Sequence, residues 1–459
     1  MALSTVILAA GQGKRMHSDI PKVLHRLAGK PLLEHIVQTA HSLSSETPIV
    51  VIGHESDKIQ HALAHLNVQW VTQDQQLGTG HAVQQALPFI NDDLPVLVLY
   101  GDVPLIAAAT LKKFIANTPK NDIGILTATL PDPEGLGRIV RDKSGKIIRV
   151  IEEKDADVSE RGIKEINSGI YLIPSPLLKK WLPALDNKNT QKEYYLTDII
   201  AKAYEENIAI HSQEPAAFEE VLGVNDRAQL ATLERYYQNL YAQKLMRQGV
   251  TLMDPARVDI RGELTVGADV TIDINVIFEG HVKIGNGCSI GPNTVLRNVI
   301  IGDNVDIRAN CVIDGAEISD HSIVGPFARL RPGTVLGPET HVGNFVEIKN
   351  SDVGLGSKIN HLSYIGDAEI GKHVNIGAGT ITCNYDGANK HHTVIGDYAF
   401  IGSDTQLIAP VTIGESATIG AGSTITRDAP AHELTICRTP QRSIKNWQRP
   451  KKTDEKKES

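Results

Sequence analysis

Three stretches of the sequence bring together residue types that chemistry uses. The first is Leu8-Ala9-Ala10-Gly11-Gln12-Gly13-Lys14-Arg15-Met16, at the end of an apolar run. Small residues let backbone N–H groups approach a phosphate, and two cations follow at once. Taken alone, the stretch also fits a tight turn. It is not a dinucleotide fingerprint, because Met16 stands where G-x-G-x-x-G needs its third glycine, and it does not fit G-x-x-x-x-G-K-[ST]. The second stretch holds Arg331 and Lys349, two cations 18 residues apart in a periodic region. Stacked cations repel unless an anion lies between them, and a phosphate is the obvious candidate. The third holds His361 and Tyr364, followed by the polar insertion Thr382-Cys383-Asn384-Tyr385-Asp386-Gly387-Ala388-Asn389.

A tile of six residues, running from Val266 to Ile425, must position the second and third stretches. Apolar residues fall at Val266, Ile272, Phe278, Ile284, Ile290 and Leu296, resume at Ile301, and slip by one residue before Ile318, Val353 and Ile370. Glycine follows 15 of the 26 tile positions; with 39 Gly in 459 residues, chance gives roughly two, so the period is a signal. Each tile reads as a short strand and a corner, its apolar side chain pointing inward. Three tiles make one triangular coil of a parallel β-helix, so residues 18 apart should stack about 4.8 Å apart on neighbouring coils. Arg331 and Lys349 both replace a tile glycine, and the tile breaks between Ile376 and Ile395.

The N-terminal half positions the first stretch. Apolar runs at Thr5–Ala10, Pro48–Gly53, Val68–Thr72, Pro95–Tyr100 and Ile123–Leu130 alternate with helical patterns at Leu32–Leu43, Asp57–Leu66 and Gly80–Ile90. Such alternation predicts a mostly parallel, Rossmann-like α/β sheet, with ligands at the carboxyl ends of its strands. Residues 226–249 carry Leu230, Leu233, Tyr237, Leu240 and Met246 near helical spacing, which predicts one long joining helix with a core-packing stripe. The domains are therefore expected at 1–225, a helical linker at 226–249, a β-helix at 250–437 and a polar tail at 438–459.

Composition narrows the function. A net charge of −8 argues against a broad nucleic-acid surface. No apolar run has the length of a membrane span, and the opening apolar stretch lacks the basic flank of a signal peptide. Cysteines 288, 311, 383 and 437 have no C-x2-C spacing, so zinc is not expected. They read as reduced thiols of a cytoplasmic protein.

Leu8-Ala9-Ala10-Gly11-x-Gly13-x-Arg15-Met16 with Pro21-Lys22 resembles the signature of sugar-nucleotide pyrophosphorylases. The resemblance implies a loop wrapped around a nucleoside triphosphate, with Arg15 and Lys22 offsetting phosphate charge. Gln73 and Leu77-Gly78-Thr79-Gly80 resemble the uracil-reading segment. Tyr100-Gly101-Asp102 resembles the metal-binding turn, Gly137, Glu152 and Asn167 the sugar contacts, and Asn225 the second metal ligand. The six-residue tile, L/I/V-G-x4, resembles the hexapeptide acyltransferases, whose β-helix is left-handed; general crossover rules would favour the right hand. Arg331, Lys349, His361, Tyr364, Asn375, Asn384, Tyr385, Ser403, Ala421 and Arg438 match in order the acetyltransferase site of one bacterial family. That family is the bifunctional N-acetylglucosamine-1-phosphate uridylyltransferases/glucosamine-1-phosphate N-acetyltransferases, and the resemblance covers nearly the whole chain.

The implied chemistry is consistent with these residue types. A hard cation, Mg2+, held by Asp102 and Asn225 would bridge phosphate oxygens during transfer of UMP from UTP to N-acetylglucosamine-1-phosphate. In the second site a glucosamine amine must lose a proton before attacking the thioester of acetyl-CoA, and an imidazole can take it near neutral pH, which assigns His361 as general base. By the resemblance, Arg331, Lys349, Tyr364 and Asn375 hold glucosamine-1-phosphate. Ala378, Asn384, Tyr385, Ser403, Ala421 and Arg438 meet acetyl-CoA, and the β-helix forms a homotrimer with sites at subunit contacts. His391-His392 reads as part of a polar loop rather than a metal pair. Two other readings are a pyrophosphorylase whose β-helix is only a platform, and a non-catalytic exchange subunit. The first expects no Lys349, His361 and Asn384 set, the second a degraded Gly11–Arg15 loop; both sets are intact.

Overall fold

The structure, a computed structural model, describes residues 2–53 and 55–450. Residues 451–459 of the expected tail lie outside the described residues. The chain forms two compact units. One comprises the chain up to Arg247 with Pro255–Glu263; the other comprises Gln248–Asp254 and the chain from Leu264 onward.

The first unit is built on a twisted sheet. Its strands Ser4–Ala9, Ile49–Ile52, Gln69–Thr72 and Pro95–Tyr100 run parallel. Strand Ile210–Gln213 lies parallel to Ile123–Thr129 at the other edge. Alternate residues feed two cores: Ile7, Leu97 and Leu99 pack with the helix Leu32–His41, while Val6, Val96 and Val98 pack with the helices Thr79–Ala86 and Asp198–Glu205. Burial on both faces is why these runs are continuous rather than alternating. The mostly parallel α/β architecture read from the sequence is therefore present, with the strands Arg138–Arg141, Ile147–Ile151, Glu165–Pro174 and Ile210–Gln213 unanticipated. Glu165–Pro174 inserts antiparallel between Pro95–Tyr100 and Ile123–Thr129. Its apolar pattern is interrupted by Asn167-Ser168-Gly169, where the pairing shifts register.

The register sets the functional loops side by side. Ala9 pairs with Ile52, Ile52 with Thr72, and Leu8 with Tyr100. The Gly11 loop, Gln73 and Asp102 thus all emerge from one end of the sheet.

The long helix spans Arg227–Arg247 and belongs to the first unit. Its expected core stripe is corrected at two positions, because Leu240 and Met246 are 46% and 39% exposed. Buried Gln238 does part of the packing instead. It donates to the Ile260 carbonyl and accepts from the Ile260 N–H, each at 2.8 Å, joining Val258–Val266 to the helix.

The second unit is the parallel β-helix. Three ladders of short strands form its faces. They are typified by Ile307–Val324–Val342–Ile359–Ile376–Ile401–Ile419, by Leu296–Ile313–Leu330–Ile348–Ile365, and by Ile301–Ile318–Leu336–Val353–Ile370–Ile395–Ile413. Every tile residue from Ile272 to Ile425 is buried, and only Val266, in the first tile, is not. Coil spacing is 18 where tiles are complete, as between Leu330 and Ile348, and 17 across a slip, as between Ile348 and Ile365. Across the insertion the coil continues without a break. Thr382 takes the inward position against Leu407, and its hydroxyl bonds the N–H and the carbonyl of Gly366 at 2.8 and 3.1 Å. A buried hydroxyl satisfied twice substitutes there for an apolar residue.

Candidate active sites

Two cavities adjoin at the carboxyl ends of the parallel strands. One, of about 450 Å3, is lined by Leu8, Ala9, Ala10, Gly11, Lys22, Gln73 and Gly78 among others. The other, of about 780 Å3, is lined by Arg15, Gly137, Glu152, Asn167 and Asn225 among others. Thr79, Tyr100, Asp102 and Glu193 line both, so the cavities meet at Asp102. Of the residues singled out for nucleotide and sugar, Gly13, Leu77, Gly80 and Gly101 line neither. A Cβ at Gly101 would lie 3.1 Å from that of Ala9 and 3.2 Å from a Leu33 methyl, so Gly101 serves close packing.

Gln73, 3% exposed, donates its amide to the Gly78 carbonyl at 3.1 Å and contacts His81 Nδ1 at 2.9 Å. Gly78 has φ +109, and a Cβ would meet the Tyr194 carbonyl at 2.6 Å, so only glycine fits. Segment 193–196 pins this loop. Tyr194 exchanges backbone bonds with Leu77 and Gly80 at 2.8 Å, and Thr79 Oγ1 accepts from the Leu196 N–H at 3.0 Å. That pinning brings Glu193 to both cavities, although nothing in the sequence singled it out. Gln76, also unanticipated, reaches back to the Ala10 carbonyl at 2.6 Å.

At the junction, the Lys22 ammonium bonds Asp102 Oδ2 and also Asn225 Oδ1, the latter at 3.3 Å. A carboxylate and an amide oxygen therefore converge on one cation-sized position. One carboxylate with one amide oxygen suits Mg2+, which takes few protein ligands and completes its shell with phosphate oxygens and water. Deeper in the second cavity, burial raises the pKa of Glu152, and the nearby carboxylates Asp198, Asp155 and Glu193 add to this, against a bond from Thr197 at 3.3 Å. Burial likewise raises the Tyr100 phenol, with Glu152 and Asp102 adding to it. Asn167 Oδ1 accepts from the Gly169 N–H and the Tyr171 hydroxyl, both at 2.9 Å, which leaves its amide nitrogen for other partners.

On the β-helix, two groups form on either side of one corner. Lys349 pairs with Gly366 in the ladder, and Arg331 follows the Leu330–Ile348 pair, so the two cations lie on adjacent coils. Arg331 is met by Glu347 at 2.8 Å. Tyr364 and Asn384 crowd over Gly366: a Cβ there would lie 2.5 Å from the Tyr364 hydroxyl and 2.8 Å from Asn384 Nδ2. Asn384 donates to Asp367 at 2.5 Å, and Asn350 does so at 2.7 Å. Burial works to raise the Asp367 pKa, but those two amides and the ammoniums of Lys349 and Lys390 lower it on balance. Lys390, which the sequence reading passed over, lies beside Lys349, and this contact is the main cause that lowers the Lys349 pKa. The insertion makes this possible. It closes as a hairpin through a Tyr385–Lys390 bridge, with Asp386 accepting from Asn389, Ala388 and His391 at 2.7 to 2.8 Å. His391 is thus paired with a carboxylate.

Beyond the corner Leu362-Ser363 stands His361, exposed at the end of strand Lys358–His361. Its Nδ1 lies 3.0 Å from Asn344 Oδ1, one coil away. If Nδ1 carries the proton, Nε2 is the free base. The ladder continues through bonds from Gly379 N to the His361 carbonyl, Asp404 N to Ala378 and Gly422 N to Ser403. His361, Ala378, Ser403 and Ala421 therefore form one column, and Arg438 closes on the Ala421 carbonyl at 2.7 Å. Asn375 stands beside Lys358 on the face of His361, not on the face of Lys349. Tyr385 lies in the hairpin, its hydroxyl on the Gly387 carbonyl at 2.6 Å.

Residues 5–248 match the MobA-like NTP transferase domain, and residues 264–298 and 392–427 match the bacterial transferase hexapeptide repeats. The gap between the repeat matches holds Arg331, Lys349 and the insertion. The chain is 56% identical to the bifunctional protein GlmU of Cupriavidus pinatubonensis over 98% of its own length and 99% of that protein's. It is 54% identical to those of Marinobacter nauticus and Methylococcus capsulatus over 98% of its length, covering 99% and 98% of theirs. The chain belongs to the GlmU family of bifunctional proteins. Membership across both units leaves no room for a chain with a single transferase-type domain.

Proposed function

We propose that the β-helix unit acetylates glucosamine-1-phosphate with acetyl-CoA, and that the α/β unit then transfers UMP from UTP to the N-acetylglucosamine-1-phosphate so formed, releasing pyrophosphate. The product, UDP-N-acetylglucosamine, is a precursor of peptidoglycan and lipopolysaccharide. The observation that carries the reading is the convergence of Lys349, Tyr364, Asn384 and Lys390 one corner from His361. A platform needs no such arrangement. The cationic cluster is suited to the sugar phosphate, His361 Nε2 takes the amine proton, and the Ala378–Ser403–Ala421 column with Arg438 supports acetyl-CoA. In the α/β unit, Leu8 to Gly11, Gln73, Gly78 and Thr79 hold the nucleotide, and Gly137, Glu152 and Asn167 hold the sugar. Asp102 and Asn225 would hold Mg2+, which supplies charge stabilisation across the phosphates. Arg15, at the wall of the sugar cavity, adds positive charge there.

The reading extends to assembly. Phe327, Phe345 and Leu362 stack on successive coils beside the His361 column, with φ of 57, 56 and 50°, and are 49%, 55% and 63% exposed. The two phenyl rings stack at 5.2 Å. Bulky apolar residues in the left-handed region are uncommon, and an exposed apolar ridge marks a contact surface. This supports a homotrimer in which a neighbouring copy covers the ridge and helps enclose the acetyl site. Four unpaired cysteines, and no helix among the described residues long and apolar enough to cross a membrane, support a cytoplasmic location. The test is separation of the activities. His361→Ala should abolish CoA release from acetyl-CoA with glucosamine-1-phosphate, and Asp102→Ala should abolish pyrophosphate release from UTP with N-acetylglucosamine-1-phosphate, each sparing the other. Loss of both activities in either variant would sink the assignment.

A further inference from the structure

We infer that Lys22 is an exchangeable occupant of the cation site, holding Asp102 and Asn225 in the free chain and giving them up only when a divalent cation enters with the nucleotide. This rests on the reading of those two residues as metal ligands. The Lys22 ammonium sits where both oxygens converge, on Asp102 Oδ2 and 3.3 Å from Asn225 Oδ1. The pair is largely shielded from water, at 12% and 17% exposure. One position cannot hold an ammonium and a divalent cation together, so Lys22 must leave before those oxygens can take the ion.

The lysine has a place to go. Its stem begins against Gly13, whose φ is +61, and a Cβ on Gly13 would lie 2.7 Å from Lys22 Cβ. Anchored there, a flexible four-carbon stem can aim its ammonium at Asp102 or swing it into the nucleotide cavity, whose wall it already forms. The exchange has a consequence for order of binding. A single carboxylate and an amide are weak competitors for a cation while an ammonium already neutralises the carboxylate. Phosphate oxygens add ligands for the cation and an anionic partner for the displaced ammonium, so both occupants gain together. Removing the ammonium would leave a shielded carboxylate without its counter-charge, which is costly unless another cation replaces it.

The test uses the full chain, with Mn2+ as a paramagnetic probe, and measures free Mn2+ by electron paramagnetic resonance. Without nucleotide, Lys22→Met should bind Mn2+ at least about ten-fold more tightly than the unaltered chain, a gain of about 1.4 kcal/mol. Lys22→Gln should behave alike. An unchanged circular-dichroism spectrum and thermal unfolding curve confirm that the variants are folded. In the unaltered chain, Mn2+ alone should leave the rate at which Lys22 is amidinated by ethyl acetimidate unchanged and Mn2+ with UTP should alter it, read by mass spectrometry. Equal or weaker Mn2+ binding by both variants would overturn the exchange alone, provided that UTP-dependent Mn2+ binding is still lost in Asp102→Ala. If Asp102→Ala retains that binding, the metal-ligand reading fails and the exchange fails with it.

Discussion

Gly366→Ala probes the acetyl site through sterics alone. Gly366 stacks on Lys349 and is buried, and its φ is not among the positive ones, so alanine brings no backbone strain. Its Cβ, however, would stand 2.5 Å from the Tyr364 hydroxyl and 2.8 Å from Asn384 Nδ2. Both groups must move. Overpacking of this kind costs about 1–3 kcal/mol. Asn384 would also lose or lengthen its 2.5 Å bond to Asp367, and hydrogen bonds to charged groups contribute about 1.5–3 kcal/mol. Part of that falls on stability and part on the placing of Tyr364 and Asn384. If about 2 kcal/mol falls on the site, kcat/KM for glucosamine-1-phosphate drops about 30-fold. The assay is CoA release against glucosamine-1-phosphate concentration, with pyrophosphate release from UTP measured on the same preparation and thermal unfolding as a control. Acetyl transfer within about two-fold of the parent would refute the crowding. A parallel fall in pyrophosphate release would refute its confinement to one unit.

Asn344→Ala should lower kcat for acetyl transfer about 10- to 100-fold with KM for acetyl-CoA little changed, because the 3.0 Å contact orients His361 without touching substrate; a rise in KM alone would contradict this. Burial first, then Asp186 and Asp155, raises the Asp198 carboxyl to about 6. A raised carboxyl favours the fold below its ordinary pKa near 4, and that contribution is lost as pH rises through about 6. Partial exposure and the helix N-terminus reduce the effect, to about 1 kcal/mol. Urea unfolding at pH 4.5 and 7.5 should therefore differ less in Asp198→Asn than in the parent, and equal differences would refute the shift. If the ridge holds the proposed trimer together, Phe345→Lys should sediment as a monomer in analytical ultracentrifugation where the parent sediments as a trimer, and should impair acetyl transfer only; equal sedimentation coefficients for variant and parent would refute the contact.

Much of this architecture is legible in the sequence because it obeys a period. Inward residues of the β-helix recur because each coil must bury its centre, and slips from 18 to 17 leave the inward direction unchanged. The period disappears where a polar group does apolar work. Thr382 occupies an inward position because the backbone of Gly366 satisfies its hydroxyl. Gln238 is buried in the long helix because the backbone of Ile260 satisfies its amide. No hydropathy pattern marks a buried group whose partner lies far along the chain.

The residues missed on the β-helix were placed by the fold, Asn344 by stacking and Lys390 by the insertion. Asn344 carries no motif, yet it lies one slipped coil, 17 residues, before His361, and the Asn344–His361 pairing places it under the imidazole. Applying the slipped coil length to every candidate would have found it. Lys390 could not be found that way, because a hairpin of irregular length delivers it to Lys349. Lys22 is the instructive intermediate case. Its neighbourhood in sequence pointed to a phosphate, and it does line the nucleotide cavity, but its charge is met by Asp102 and Asn225. A motif selects the residue type that the reaction needs. The partner of a shielded charge is chosen by whatever opposite charge the fold brings within reach, and here that charge, Asp102, lies 80 residues further along the chain, with the neutral Asn225 amide 203 residues along beside it.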